Sequence, residues 1–125
     1  MVFAQERSHS VWDGVYTAQQ ADRGHLQYDR RCANCHGDEL EGDVVEHPEL
    51  AGGNFRDKWD GETLGDLFER IHRDMPQTSP GSLSRETTVD LIAYILSANK
   101  YPAGAHDLPR DTPSLKEIRF ESRRR

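Results

Sequence analysis

The residues with the most specific chemistry are Cys32, Cys35 and His36, which stand in Cys-x-x-Cys-His order. Two intervening residues let one turn of backbone place both sulfur atoms on one side, while the adjacent imidazole projects beside them. This spacing matches the signature in which two thiols form thioethers with the vinyl groups of haem and the histidine binds the iron. The sequence therefore predicts one covalently attached haem c, with His36 as an iron ligand.

Three other uses of the motif compete with haem attachment. A thioredoxin-like dithiol would be expected beside a βαβ pattern, which the sequence does not show. A structural zinc site needs four nitrogen or sulfur ligands, and only scattered histidines remain to complete one. A disulfide across so short a loop would stabilise little, because the entropic benefit grows with loop length. Haem attachment is the favoured interpretation.

The sixth iron ligand is predicted to be Met75, which lies in a proline-flanked loop that could hold a thioether at the iron. Met1 is the only other methionine. His72 is the rival, because it lies one turn earlier and imidazole is also a good axial ligand. It follows the apolar stripe of its helix by one position, however, and is expected to face solvent. The remaining histidines lack metal-ligand spacing and are interpreted as exposed: His9, His25, His47 and His106.

Three helices are predicted to position these residues. Thr17 and Gln20 are predicted to form a capping box at the start of a first helix over about residues 17–31. Four apolar side chains at helical spacing predict a second helix over about 62–72. A cap at Ser84 opens a third, which is expected to end near residue 99.

The segments between and beyond the helices are interpreted as loops and termini. Residues 37–60 show no sustained period and are predicted to form a long loop around a haem edge. Two prolines make residues 75–81 a rigid loop. The chain is thus divided into an N-terminal arm (1–13), a domain (14–104) and a solvated, flexible C-terminal tail (105–125).

The arm is expected to be extended, with Val11 and Trp12 attaching it to the domain. Its first residues, 1–5, resemble a mature start behind an initiator methionine, which suggests that an export signal has been removed. The N-terminus itself lacks the apolar core of a signal peptide.

Composition limits the classes of partner. The chain has 125 residues, 30% of them charged and only 34% hydrophobic, so an apolar prosthetic group would make up for a small core. The net charge of −6 argues against nucleic acid, which requires a basic face. No run approaches the roughly 20 apolar residues of a membrane span. A single domain, monomeric when isolated, is expected.

Several features in order resemble the class I cytochromes c over residues 14–104. Gly24 and Tyr28 lie eight and four residues before Cys32, where that family places a small residue and an aromatic residue to cross its first helix against its last. A small residue lets two helix backbones approach closely. The opposite side of the crossing would be formed by Leu91 and Tyr94.

The resemblance implies an all-α cytochrome c fold, in which three main helices and long loops surround one covalently attached haem. It implies that Met75 belongs to the distal-ligand loop. It also implies that Pro48 and Leu50 form the proximal loop, where a backbone carbonyl accepts the Nδ1 proton of the haem histidine. By the same resemblance, Trp59 donates its indole N–H to a haem propionate, and Tyr94 belongs to the cofactor-binding residues.

The predicted function is one-electron transfer between redox proteins, with iron held by His36 and Met75 cycling between Fe(III) and Fe(II). No paired carboxylates or activated nucleophile are evident, so an enzyme is not expected. Two alternatives remain open. One is a five-coordinate haem with peroxidase or gas-binding activity, and the other is the haem subunit of a quinoprotein dehydrogenase complex, with the arginine-rich tail as its contact.

The partners are expected to be redox proteins, such as a quinoprotein dehydrogenase or a terminal oxidase. Residues 12–17 and 101–104 are similar to short bacterial cytochromes associated with quinoprotein dehydrogenases. Thirteen of the sixteen basic residues are arginines, which argues against docking through a ring of lysines. The location is expected to be periplasmic or otherwise exported, because bacterial c-type haem is attached outside the cytoplasm in the family that the chain resembles.

Overall fold

The computed structural model describes residues 9–43 and 47–121, and helices dominate it. A short parallel pair joins the two ends of the described chain, with His9 opposite Ile118 and Ser10 opposite Arg119. None of the described helices is long and apolar enough to cross a membrane. The predicted all-α class is confirmed. The elements are β1 (His9–Ser10), a 3-10 turn (Val11–Asp13), α1 (Ala18–Arg31), α2 (Ala33–His36), α3 (Gly53–Trp59), α4 (Leu64–Asp74), α5 (Arg85–Ala98), α6 (Thr112–Leu115) and β2 (Ile118–Arg119).

The three predicted helices correspond to α1, α4 and α5, and each starts after a side-chain cap. The hydroxyl of Thr17 accepts from the Gln20 amide at 3.0 Å, and that of Ser84 accepts from the Thr87 amide at 3.0 Å. The predicted reciprocal bond from Gln20 is wrong. Its buried side chain instead accepts from the Leu108 amide at 2.8 Å, so the cap of α1 is one-sided.

The predicted crossing of the first and last long helices is confirmed. A Cβ atom at Gly24 would collide with the carbonyl oxygen of Asp90 and lie 3.0 Å from the Tyr94 side chain. Glycine therefore lets α1 and α5 meet backbone to backbone. The rings of Tyr28 and Tyr94 fill the space beside this contact, with centroids 5.3 Å apart.

The expected uninterrupted loop over residues 37–60 is wrong at its end, which forms α3. Gly52 adopts a positive φ of 114° directly before the helix, which is a conformation that favours glycine. Phe55 is buried, and its ring centroid lies 6.2 Å from that of Trp59, which follows one helical turn later. Two aromatic residues in a seven-residue helix make too short a stripe to reveal the period in the sequence.

The expectation of a solvated C-terminal tail is also wrong for residues 105–121. Leu108, Leu115, Ile118 and Phe120 are all buried. They are spaced irregularly and so gave no periodic pattern. The packed unit consequently extends past the predicted boundary at residue 104, and the expectations for residues 1–8 and 122–125 lie outside the described residues.

The predicted attachment of the N-terminal arm through Val11 and Trp12 is confirmed. Val11 is fully buried, and the indole N–H of Trp12 donates to the Glu121 carbonyl at 2.9 Å. The Trp12 ring also meets that of Tyr101 edge to face at 4.7 Å. The two ends of the described chain are therefore held together on one side of the fold.

Candidate functional site

A cavity of about 460 Å³ lies among α1, α2, α3, α4, α5 and the loops between them. This volume falls within the roughly 300–1,000 Å³ typical of cofactor and small-molecule sites. Seven of the eight residues predicted to bind the cofactor or its metal line it: Cys32, Cys35, His36, Pro48, Leu50, Trp59 and Met75.

The Cys-x-x-Cys-His motif forms a helical turn at the junction of α1 and α2. The Cys32 carbonyl accepts from the amides of Cys35 and His36 at 3.1 and 2.9 Å. Neither thiol forms a disulfide; Cys32 is half-buried and Cys35 is exposed. One short segment thus brings both sulfur atoms and the imidazole to a single wall of the cavity.

Burial raises the pKa of the Cys32 thiol to about 11, against a smaller opposing effect of Arg31. A thiol with such a pKa is protonated at neutral pH. Redox-active dithiols depend on a thiolate, which a lowered pKa provides. The electrostatic environment therefore does not favour the thioredoxin-like alternative.

His36 is buried and its Nδ1 lies 2.9 Å from the Pro48 carbonyl oxygen. Because a carbonyl can only accept, Nδ1 is the donor of this bond, and in the neutral ring the lone pair is then on Nε2. That tautomer suits a metal ligand, and a bond of this kind orients the ring and raises its basicity. This is the contact that the resemblance implied for the proximal loop.

Met75 caps the C-terminal end of α4, where its amide donates to the Ile71 carbonyl at 3.0 Å. Its side chain lines the cavity, whereas that of His72 does not. The expectation that His72 faces solvent is only partly right, because its ring is half-buried and stacks on Phe68 with centroids 5.2 Å apart. Of the two predicted rivals, Met75 is the one at the cavity.

Tyr94, in contrast, is not brought to the cavity with the other predicted residues. Its ring stacks on His25 at a centroid distance of 4.4 Å and packs beside Tyr28 at the helix crossing. The structure therefore gives no support to the prediction that Tyr94 belongs to the cofactor-binding residues, which stays a prediction. Tyr28 does line the cavity; burial raises the pKa of its phenol, whose hydroxyl donates to the Gly37 carbonyl at 2.7 Å.

The lining includes residues that sequence reasoning missed. For those on α4 and α5 the only sequence signal was membership of helical apolar stripes, which does not distinguish a cavity wall from an ordinary core. Phe55, on the short helix α3, gave no such signal. Asn99, whose side chain is hydrogen-bonded to the backbone of Leu50 and Gly52, could have been recognised only as a C-cap residue. The missed apolar lining residues are Phe55, Leu67, Ile71, Leu91 and Ile95.

The donor set fits haem better than a bare metal ion. No group of three or more His, Cys, Asp or Glu side chains in the described residues could hold a metal by itself. The cavity instead offers one imidazole, one thioether and two thiols on an apolar wall. A macrocycle that brings four nitrogen ligands of its own needs only the first two for its iron, while the thiols can attach its edge.

The exposed rim of the cavity is basic. Among the described residues it has four exposed cations and one carboxylate, that of Glu49; the cations are Arg30, Arg31, Lys58 and Arg70. Arg70 approaches the Asp74 carboxylate at 3.6 Å. The other three form no ion pair with the described residues, so the described part of the rim has a net positive charge.

Comparisons with known proteins agree with this site. Residues 19–95, more than half of the chain, match the sequence profile of the family described as "Cytochrome C oxidase, cbb3-type, subunit III". This range contains both thiols, His36 and Met75. No curated protein sequence matches the chain.

One solved structure with a similar fold is that of the sulfane dehydrogenase SoxCD from Paracoccus pantotrophus. The TM-score is 0.56 and the sequence identity is 23%, over 87% of this chain and 61% of that chain. This chain therefore spans less than two thirds of the length of its structural relative. At this identity, the likeness is evidence for the fold alone.

Proposed function

Since the chain belongs to the cbb3-type cytochrome c oxidase subunit III family, a family of c-type cytochrome domains that bind haem c, we propose that it carries single electrons with iron held by His36 and Met75. In this proposal Cys32 and Cys35 attach the haem. The supporting observation is the bond between His36 Nδ1 and the Pro48 carbonyl, which leaves Nε2 free within a cavity that Met75 also lines. Bound haem supplies the one-electron Fe(III)/Fe(II) couple.

The residues of the chain have distinct roles in this proposal. The two thiols fix the edge of the cofactor to one helical turn, and the Pro48 carbonyl sets the orientation of the imidazole. The apolar wall excludes water, which lowers the local dielectric and strengthens every electrostatic effect on the iron. The thioether of Met75 favours the reduced state and so raises the reduction potential. Trp59, which lines the cavity, would donate its indole N–H to a haem propionate.

The ligand assignment predicts the effect of replacing Met75 with histidine. Met75→His should lower the midpoint potential, because a second imidazole favours the oxidised state relative to a thioether. The native oxidised protein should be low-spin and show the weak near-infrared band of methionine ligation, which the variant should lose. The measurements are a redox titration and visible and near-infrared absorption spectra.

The matched control is His72→Gln, which removes the rival imidazole and should leave both the potential and the band unchanged. An unchanged potential in Met75→His would overturn the assignment of Met75. A high-spin spectrum in the native protein would replace the electron carrier with the five-coordinate, peroxidase or gas-binding alternative.

The partner in this proposal is another redox protein, and the site of contact is the basic rim of the cavity. The family description names an oxidase and the structural relative is a dehydrogenase, which supports a partner of one of these classes. An acidic partner surface would complement Arg30, Arg31 and Lys58. We infer an exported location, because c-type cytochrome domains are typically exported.

A further inference from the structure

Asn99 lies at the C-terminal cap of α5 with 2% of its surface exposed. Its Nδ2 donates to the carbonyls of Leu50 at 2.9 Å and Ile95 at 2.8 Å. Its Oδ1 accepts from the Gly52 amide at 3.0 Å. Both amide protons and the side-chain oxygen are thus engaged, as a buried amide requires.

Capping of α5 explains only one of these bonds. The contact with Ile95 lies within the helix, whereas Leu50 and Gly52 lie 49 and 47 residues earlier in the chain. Asn99 therefore joins the end of α5 to the proximal loop, which we define as residues 47–52. Removing the amide would leave the Leu50 carbonyl and the Gly52 N–H without their partners, which is costly for buried polar groups.

The proximal loop is the segment whose position decides the environment of His36. Pro48 has no backbone N–H, so the place of its carbonyl depends on how the neighbouring residues are held. The amide of Leu50 donates to the Leu40 carbonyl at 2.8 Å, and the His47 carbonyl accepts from the Asp43 amide at 2.8 Å. Asn99 supplies a further attachment, at the C-terminal end of the loop.

We propose that Asn99 is a positioning residue for His36: by holding the backbone of Leu50 and Gly52, it keeps the Pro48 carbonyl on His36 Nδ1 and so tunes the ligand of the iron. The inference rests on the proposed function, because it takes His36 as that ligand. A firm bond to Nδ1 raises the basicity of the imidazole. A more basic ligand stabilises the oxidised iron, so loosening the loop should raise the midpoint potential.

The test replaces Asn99 with leucine, which has a similar shape and no hydrogen-bonding groups, and with serine, which retains one short polar group. The midpoint potential and the proton exchange of both variants are measured with haem attached, well below their unfolding temperatures. We expect a higher midpoint potential in Asn99→Leu. We also expect exchange of the His36 Nδ1 proton, followed by NMR in the reduced diamagnetic protein, to be at least about tenfold faster, equivalent to about 1.4 kcal/mol. Asn99→Ser should lie between leucine and native protein.

The matched control is Asn54→Ala. Asn54 is exposed, and its side chain donates to that of Glu49 in the same loop at 2.9 Å. Its removal should leave both the potential and the proton exchange at native values.

The outcomes separate this inference from the proposed function. A lowered unfolding temperature in Asn99→Leu, with native potential and native proton exchange, would make Asn99 a helix cap and overturn its positioning role. Equal shifts in Asn54→Ala would overturn it as well. A native protein without low-spin, covalently bound haem would instead contradict the proposed function.

Discussion

At the scale of single residues, the missing side chain of Gly24 decides how closely α1 and α5 approach. The nearest atoms to a Cβ there belong to the Asp90 backbone, which cannot move without displacing α5. A close-packed interior does not relax freely around an added methyl group. The crossing that supports one side of the cavity thus depends on a hydrogen atom in place of a side chain.

Gly24→Ala should lower the free energy of unfolding by about 1–3 kcal/mol, the usual cost of overpacking. The measurement is urea denaturation followed by far-ultraviolet circular dichroism. Gly53→Ala is the matched control, because Gly53 begins α3 and a Cβ atom added there would meet no described atom within 4 Å. That change should be neutral or stabilising by up to about 1 kcal/mol. Equal losses in both variants would contradict the role of the crossing.

The residues of the site differ in how well the sequence predicted them. Cys32, Cys35 and His36 have linked roles and lie within five positions of the chain, so their spacing alone predicts one wall of the site. Asn99 acts on a loop 47 residues away, and no local pattern encodes such a contact. Tyr94 shows a related effect: the sequence places it on the last long helix, but its ring packs against His25 and is not among the residues that line the cavity.

At the scale of elements, the C-terminal segment supports the wall that contains Trp59. The ring centroid of Phe120 lies 6.0 Å from those of Phe55 and Trp59, two residues that line the cavity. The Phe120 amide donates to the Glu62 carbonyl at 2.8 Å, and its carbonyl accepts from the Gly61 amide at 2.9 Å. Side chain and backbone therefore fix the end of α3 together.

Phe120→Ala should lower the free energy of unfolding by about 3–5 kcal/mol, because it removes a buried aromatic ring and leaves a cavity. Leu26→Ala is the matched control, since Leu26 is 61% exposed and its truncation should change stability by no more than about 0.5 kcal/mol. Equilibrium denaturation with guanidinium chloride compares the two. A loss in Phe120→Ala as small as that in Leu26→Ala would restore the interpretation of residues 105–125 as a solvated tail.

A second contact that attaches the C-terminal segment to the rest of the fold depends on pH. The carboxylate of Asp107 accepts from the Thr17 hydroxyl and pairs with Arg23 at 2.7 Å. These two contacts, the Thr17 hydrogen bond first, lower the pKa of Asp107. A carboxyl group whose pKa is lowered on folding adds stability above its unfolded pKa of about 3.9, and this is lost as pH falls through the folded value.

Asp107→Asn should therefore reduce stability at pH 7, and the difference from the native protein should shrink below about pH 4. Both proteins are compared by urea denaturation between about pH 3 and pH 7, with the denaturant midpoint as the readout. Asp22→Asn, which changes an exposed acid on α1, serves as control. A difference that stayed constant across this range would contradict the assigned contacts.

The elements also show where pattern reading succeeds. α1 and α5 were predictable because each begins after a side-chain cap, and α4 was predictable because four of its apolar side chains stand at helical spacing. α3 has two aromatic residues in seven, and residues 105–121 place their apolar side chains at irregular intervals. Both pack because the rest of the fold provides a surface for them, which is a tertiary cause that no local period expresses.

At the scale of the whole molecule, the charge of the cavity rim is opposite in sign to the net charge of the chain. The chain has a net charge of −6, yet the residues described at the rim include four cations and one carboxylate. Several described cations elsewhere are paired, as Arg110 is with Glu86 at 3.6 Å. A small reactant that exchanges electrons at the cavity should respond to this local field and not to the sum over the molecule.

Reduction of the oxidised protein by ferrocyanide, an anion, tests the sign of this field. If the rim dominates, the rate should fall as ionic strength rises, because the Debye length shrinks from about 30 Å at 0.01 M to about 3 Å at 1 M and screens an attraction. If the net charge dominated, screening would remove a repulsion and the rate would rise. Arg30→Gln should flatten the dependence, while Arg110→Gln, which changes the net charge equally but lies outside the cavity, should keep the native slope. A rate that rises with salt in the native protein, or equal slopes in the two variants, would contradict electron entry at the basic rim. It would also contradict the proposal that this rim is the docking face.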